Sequence, residues 1–166
     1  MKKIGIISSD DNDATSYTGD ARARAADLGI EVLTRQVNLW DSITPAAESL
    51  IAEGIDAFFI PVDRYYRMKG AENSRSLATL SFIRKIPCIS STASSVKGPL
   101  ISVSHDYTAV GSLTADQASR ILRDDVKPDE IPIGKLAGFT ISVDADASEK
   151  LGIALPLQLL KTARGK

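Results

Sequence analysis

Apolar residues along this chain fall into short runs separated by longer stretches in which they recur at helical spacing. The runs "KIGIIS" (3–8), "IEVLTRQV" (30–37), "DAFFIPV" (56–62), "PCIS" (87–90), "LISVSH" (100–105) and "FTISV" (139–143) predict strands. Between them the pattern predicts helices over 17–28, closed by the helix-stopping Gly29, over 44–54, over 73–84 and over 107–123. Thr44 is the expected N-cap of the second helix, with Pro45 at its first position. A proline-bearing connection (126–134) precedes the last strand, and two short helical pieces follow on either side of Pro156.

Strict alternation of strand and helix predicts an α/β fold, an open doubly wound sheet of mainly parallel strands with helices on both faces, because parallel neighbours need a crossover between them. The expected order is 2-1-3-4-5, with Gly5, Ile7, Phe58, Ile60, Ile89 and Val103 in the central strands. Ligands of such sheets collect outside the carboxyl ends of the strands. Here that edge is built from the loops 8–16, 38–43, 62–71 and 91–98.

At 166 residues the chain is long enough for one well-buried domain. Its 20 Lys+Arg against 21 Asp+Glu leave a net charge of -1, and no stretch clusters basic residues with aromatics, so nucleic acid is not an expected partner. Cys88 is the only cysteine, which excludes an internal disulfide. After Lys2 and Lys3 only "IGII" precedes the polar "SSDDND", too short for the apolar core of a secretory signal, and no run approaches the ~20 apolar residues of a membrane span.

The chemistry-bearing motifs of common enzymes are missing: there is no G-x-G-x-x-G, no P-loop, no H-E-x-x-H and no G-x-S-x-G, and the chain is expected to use no cofactor and not to be an enzyme. "DDNDATS" (10–16) and "DADASE" (144–149) have neither the glycine nor the twelfth-position glutamate of a calcium loop; Asp13 or a neighbour and Asp144 read better as helix caps. Cys88 and His105 form a conceivable nucleophile pair, but Cys88 sits in an apolar strand where a small hydrophobe packs well. Asp10, Asp11, Asp63 and Thr92 mimic a phospho-acceptor receiver, yet the required lysine after the fifth strand is absent, since Lys97 precedes it. What stands out is "VDRYYR" (62–67), where a buried strand ends at Asp63 and runs straight into Arg64 and Tyr65 at the ligand edge. Trp40 and Tyr66 are candidate stacking surfaces there.

The segments "SHDYTAVGSLTADQASRILRDDVKPDEIPI" (104–133) and "FTISVDADASEKLGIALPLQLL" (139–160), with "KIGII", "AADLGIEV", "GIDAFFIPVD" and "RKIPCISSTASSVKGPL" upstream in the same order, closely resemble the second lobe of the uncharacterised ABC-transporter substrate-binding proteins. The best understood relatives of those receptors take up aromatic amino acids. The resemblance covers essentially the whole chain and implies a flavodoxin-like lobe of a type I periplasmic binding protein, in which two α/β lobes close on a small molecule across a hinge. It implies 1–166 as one domain without the first lobe, the chain being either a fragment or a natural half-receptor. The helix 107–123, which packs on the first lobe in two-lobed receptors, is then expected to cover itself against a missing lobe or a second copy in a homodimer. The stripe Val110, Leu113, Ala118, Ile121 and Leu122 would form the contact.

Carried over by position, the resemblance implies ligand contacts from Asp13 and Thr15, from Asp63, Arg64 and Tyr65, from Ser91, Thr92 and Ser94, and from Asp106 and Tyr107. Asp63, Asp106 and Tyr107 match the family pattern, whereas Arg64 and Tyr65 replace small polar residues and Thr92 replaces an aspartate. Gaining a guanidinium and losing a carboxylate turns the local preference toward an anionic group. The implied function is binding of an amino-acid-like or small anionic solute for an ABC permease, periplasmic or extracellular for an exported receptor and cytoplasmic if the chain is complete as written. The alternative is a sensory or assembly module that keeps the fold without the ligand.

Overall fold

The computed structural model describes residues 2–92, 98–136 and 138–165. Strands β1 (Lys3–Ser9), β2 (Glu31–Val37), β3 (Ala57–Ile60), β4 (Cys88–Ser90), β5 (Ile101–Ser104), β6 (Thr140–Val143) and β7 (Arg164–Gly165) form one seven-stranded sheet in the order 2-1-3-4-5-6-7. The expected 2-1-3-4-5 core is parallel throughout, and β6 joins antiparallel to β5 with Ser102 opposite Ser142. That reversal brings the start of β6 to the edge where β5 ends.

Alternation along the central strands decides which face each side chain serves. Ile7, Phe58, Ile60 and Cys88 point to one face and pack against helices α2 (Thr44–Ala52) and α3 (Met68–Arg84) through Ala47, Leu50 and Leu77. Gly5 lets α2 and the turn after it close on β1, since a Cβ there would stand 3.1 Å from Leu50 Cδ1 and 2.8 Å from Ile55 Cδ1. A smaller cluster of Leu100, Ala147 and Leu151 seats helix α5 (Ala145–Leu151) beside α3. The opposite face receives helix α1 (Asn12–Asp27), which lies over β1 and β2 and buries Ala25 alone among its described side chains.

Helix α4 (Tyr107–Leu122) buries none of its residues and is followed by the connection through a 3-10 turn at Pro128–Glu130. Helix α6 (Leu157–Thr162) closes the chain ahead of β7.

Three local expectations need correction. α1 starts five residues before Tyr17, because a polar first turn costs little on a helix that is hardly buried. Ile43, not Thr44, occupies the cap position of α2 and makes no side-chain bond to the helix. α3 is assigned from Met68, but Lys69, Gly70 and Ala71 have positive φ, so regular helix begins close to the expected Asn73. Asp144 caps α5 as expected, accepting from the Ala147 N–H at 2.9 Å.

Candidate functional site at the carboxyl edge of the sheet

The loops after β1, β3, β4 and β5 meet at one edge, and the cluster that follows β3 divides there into inward and outward parts. Asp63 is only 8% exposed, and its carboxylate accepts from the Ser9 N–H at 2.7 Å, the Ser9 Oγ at 3.0 Å and the Tyr65 N–H at 2.8 Å. It thereby ties the end of β1 to β3 and caps the 3-10 turn Arg64–Tyr66. Tyr65 and Tyr66 turn into the core as an edge-to-face pair with ring centroids 5.5 Å apart. Tyr65 Oη donates to the Asp41 carbonyl at 3.1 Å, and Tyr66 Oη to the Ile7 carbonyl at 2.7 Å. Burial, helped by the Asp41 and Asp63 charges, pushes the Tyr65 phenol up to about 12; burial raises Tyr66 well above its usual value. Asp63 and Tyr65 therefore brace the fold: a buried carboxylate holds three donors, and a core phenol donates to a backbone carbonyl.

Arg64 goes the other way. Its Nε stands 3.2 Å from Asp11 Oδ2, bridging the ends of β3 and β1, with 59% of its side chain exposed. Trp40 lies exposed at the same edge, its carbonyl accepting from Lys69 Nζ at 2.8 Å.

A groove of about 530 Å³ runs between α1 and the ends of β3, β4 and β5, and neither Arg64 nor Asp11 is among its lining residues. Phe59 and Val103 form its floor, because they alternate with core residues and face the side that α1 leaves bare. Tyr17, Tyr107 and Phe139 form its walls, all exposed, and Asp20, Ala21 and Arg24 of α1 complete it with Val62, Ser91, Ser104 and His105. An aromatic-walled cleft with a few hydroxyls, an imidazole and one side chain of each charge, Asp20 and Arg24, suits a small molecule with an apolar body and a polar end.

Of the residues singled out in the sequence, Ser91 and Tyr107 meet in this groove. Ser91 Oγ donates to the Ile60 carbonyl at 3.1 Å, and the Thr92 N–H donates to Ser90 Oγ at 3.1 Å, so both are bound into the strand ends. Asp106 caps α4, accepting from the Thr108 and Ala109 N–H groups at 2.9 and 3.4 Å. Thr15 lies on the other flank of α1, donating to the Asp11 carbonyl at 3.0 Å. Ser94 and the side chain of Asp13 lie outside the described residues. Phe59, Val62, Tyr17 and Phe139 were not foreseen; the alternation of β3 around the core pair Phe58 and Ile60 was the available signal for Phe59.

A larger cavity, about 760 Å³, lies between α4 and 128–136, lined by Val110, Leu113, Ile121, Ile131, Ile133 and Leu136. Leu122, expected in the same stripe, is instead 82% exposed. Cys88 is a core residue: burial pushes its thiol up to about 12 despite a hydrogen bond with Ser81, which removes it as a nucleophile. Among the described residues no group of three or more His, Cys, Asp or Glu is placed to hold a metal ion, and no helix is long and apolar enough to cross a membrane.

Several solved structures share this architecture. A conserved domain protein from Vibrio cholerae superposes with a TM-score of 0.80 at 24% identity, over 99% of this chain and 54% of its own. The ligand-free, open structure of CD0873, a substrate-binding protein with adhesive properties from Clostridium difficile, gives 0.81 at 20% identity, over 99% of this chain and 54% of that one. An ABC domain in complex with L-Trp from Streptococcus pneumonia gives 0.75 at 24% identity, covering 99% and 56%. This chain thus spans about half the length of each. At these identities the likeness speaks for the fold. No curated protein sequence matches the chain. The family model described as ABC transporter substrate binding protein matches residues 1–166, and the chain belongs to that family.

Proposed function

We propose that this lobe receives an amino-acid-like or small anionic solute at the carboxyl edge of its sheet, with the apolar part of the solute over the Phe59, Tyr107 and Phe139 groove and its anionic group toward Arg64. The observation that carries this reading is the Arg64–Asp11 pair, held at 3.2 Å across the ends of two strands at the same carboxyl edge that bears an aromatic-walled groove. A guanidinium fork more than half exposed keeps donors for a carboxylate or phosphate, and Asp11 orients it. Thr92 adds no negative charge at the place where the resemblance implies an aspartate.

The described residues form one wall of the cleft. The bare α4 and the apolar cavity against 128–136 form the surface on which a complementary lobe, or a second copy of the chain, closes over the solute. Delivery to an ABC permease outside the cytoplasm is the corresponding role. Half the contacts imply weak binding by the free lobe, about millimolar. Calorimetry with a panel of amino acids and small anions, on the wild type and on Arg64→Ala, tests the reading. Binding that weakens about tenfold or more in the variant supports it, and binding indifferent to Arg64 removes it. The alternative, a module that has lost its ligand, is favoured by no member of the panel binding while the chain self-associates.

A further inference from the structure

Helix α1 meets the sheet with two neighbouring stripes. Tyr17, Asp20, Ala21 and Arg24 face the aromatic groove, while Thr15, Thr18, Gly19 and Arg22, at the same i, i+3, i+4, i+7 spacing, face β1 and β2. Beneath the second stripe the sheet also turns polar, because Ile6 pairs with Thr34 and Ser8 with Gln36 in the parallel register. Between helix and sheet lies a cavity of about 250 Å³, the share of about eight water molecules. Ser8, Thr15, Thr18, Arg22, Thr34 and Gln36 line it with Gly19.

A helix seated on a sheet is ordinarily joined to it by apolar side chains, and this seam departs from that rule with six hydrogen-bonding ones, Ser8 buried, Thr18 and Thr34 half-buried, and Thr15, Arg22 and Gln36 open to solvent. Gly19 breaks a second one. A glycine inside a helix is less stable than alanine, yet a Cβ at position 19 would meet nothing within 4 Å, so no protein neighbour requires the small residue. What its absence of a side chain preserves is the room in the cavity. Arg22 supplies the only formal charge among the described lining residues, and its Nη2 donates to Thr34 Oγ1 at 2.8 Å, which fixes the guanidinium at the rim.

We infer that this cavity is a second ligand site, for a small oxyanion of phosphate or sulfate size, in which Arg22 provides the charge and the Ser8, Thr18 and Thr34 hydroxyls with the Gln36 amide provide hydrogen bonds. It lies on the opposite flank of α1 from the groove at the carboxyl edge and does not depend on the solute reading of that groove. Occupation would brace α1 against β1 and β2, where protein contacts alone bury Ala25.

The test is an amide NMR titration with inorganic phosphate and with sulfate, ionic strength matched with chloride, on the wild type, Arg22→Gln, Gly19→Leu and Arg64→Ala. Saturable shifts at residues 8, 15–22 and 34–36, weakened roughly tenfold to a hundredfold by Arg22→Gln, abolished by Gly19→Leu and unchanged by Arg64→Ala, are expected. Thr34→Val serves as a further weakening variant if Gly19→Leu disturbs the fold. Shifts that stay linear with concentration mean hydration or an adventitious ion only, and overturn the inference. So do shifts that survive both Arg22→Gln and Thr34→Val, or that follow Arg64 instead.

Discussion

Replacing Asp63 with alanine removes the one acceptor shared by the Ser9 N–H, the Ser9 Oγ and the Tyr65 N–H, at 2.7, 3.0 and 2.8 Å. Ser9 and Tyr65 are both fully buried, so two backbone donors lose their partner where water does not readily replace it. Each stranded group costs about 1–3 kcal/mol, and the hydroxyl, free to rotate, costs less. The expected loss is about 3–5 kcal/mol, against a total of about 5–15 kcal/mol for an ordinary domain. Asp63→Asn keeps one acceptor oxygen and should lose about half as much. Urea unfolding followed by circular dichroism reads this as a fall in midpoint at unchanged slope. If Asp63→Ala unfolds within about 0.5 kcal/mol of the wild type, the residue is not a brace.

Three further outcomes follow from the same geometry. Tyr66→Phe leaves the Ile7 carbonyl without its donor and should cost about 1–2 kcal/mol by the same unfolding assay. Gly98→Ala combines a φ of +96° with a Cβ 2.3 Å from that of Ala78, and a loss of about 2–4 kcal/mol, seen as a lowered Tm, is expected. Cys88 and Tyr65, raised by burial to about 12, and Tyr66, raised well above its usual value, hold their protons in the folded state after the unfolded chain has lost them. Their contribution is complete below the unfolded pKa of each group and is lost as pH rises toward 12, so stability should fall from about pH 9 upward, less steeply in Cys88→Ala.

The parallel core was legible because β1, β2, β3 and β4 are short strand-like runs joined by the helices α1, α2 and α3, and a parallel sheet leaves few other ways to join them. Helix α4 was legible in the helical spacing of its apolar residues. The fate of "DRYYR" was not. One-dimensional order cannot tell that the 3-10 turn rotates Tyr65 and Tyr66 into the core and Arg64 outward, since that depends on Asp63 reaching across to Ser9, 54 residues earlier. The groove was equally hidden: Phe59 and Phe139 lie 80 positions apart and meet only because β6 runs antiparallel beside β5.

The most direct measurement of the central claim is a backbone amide shift map of the lobe with the strongest binder from the amino-acid and small-anion panel. Saturable shifts gathered at residues 9–11, 62–67, 91–92 and 103–107, and lost in Arg64→Ala, are the predicted result. Shifts confined to 110–136, or none at the carboxyl edge at saturation, would contradict it.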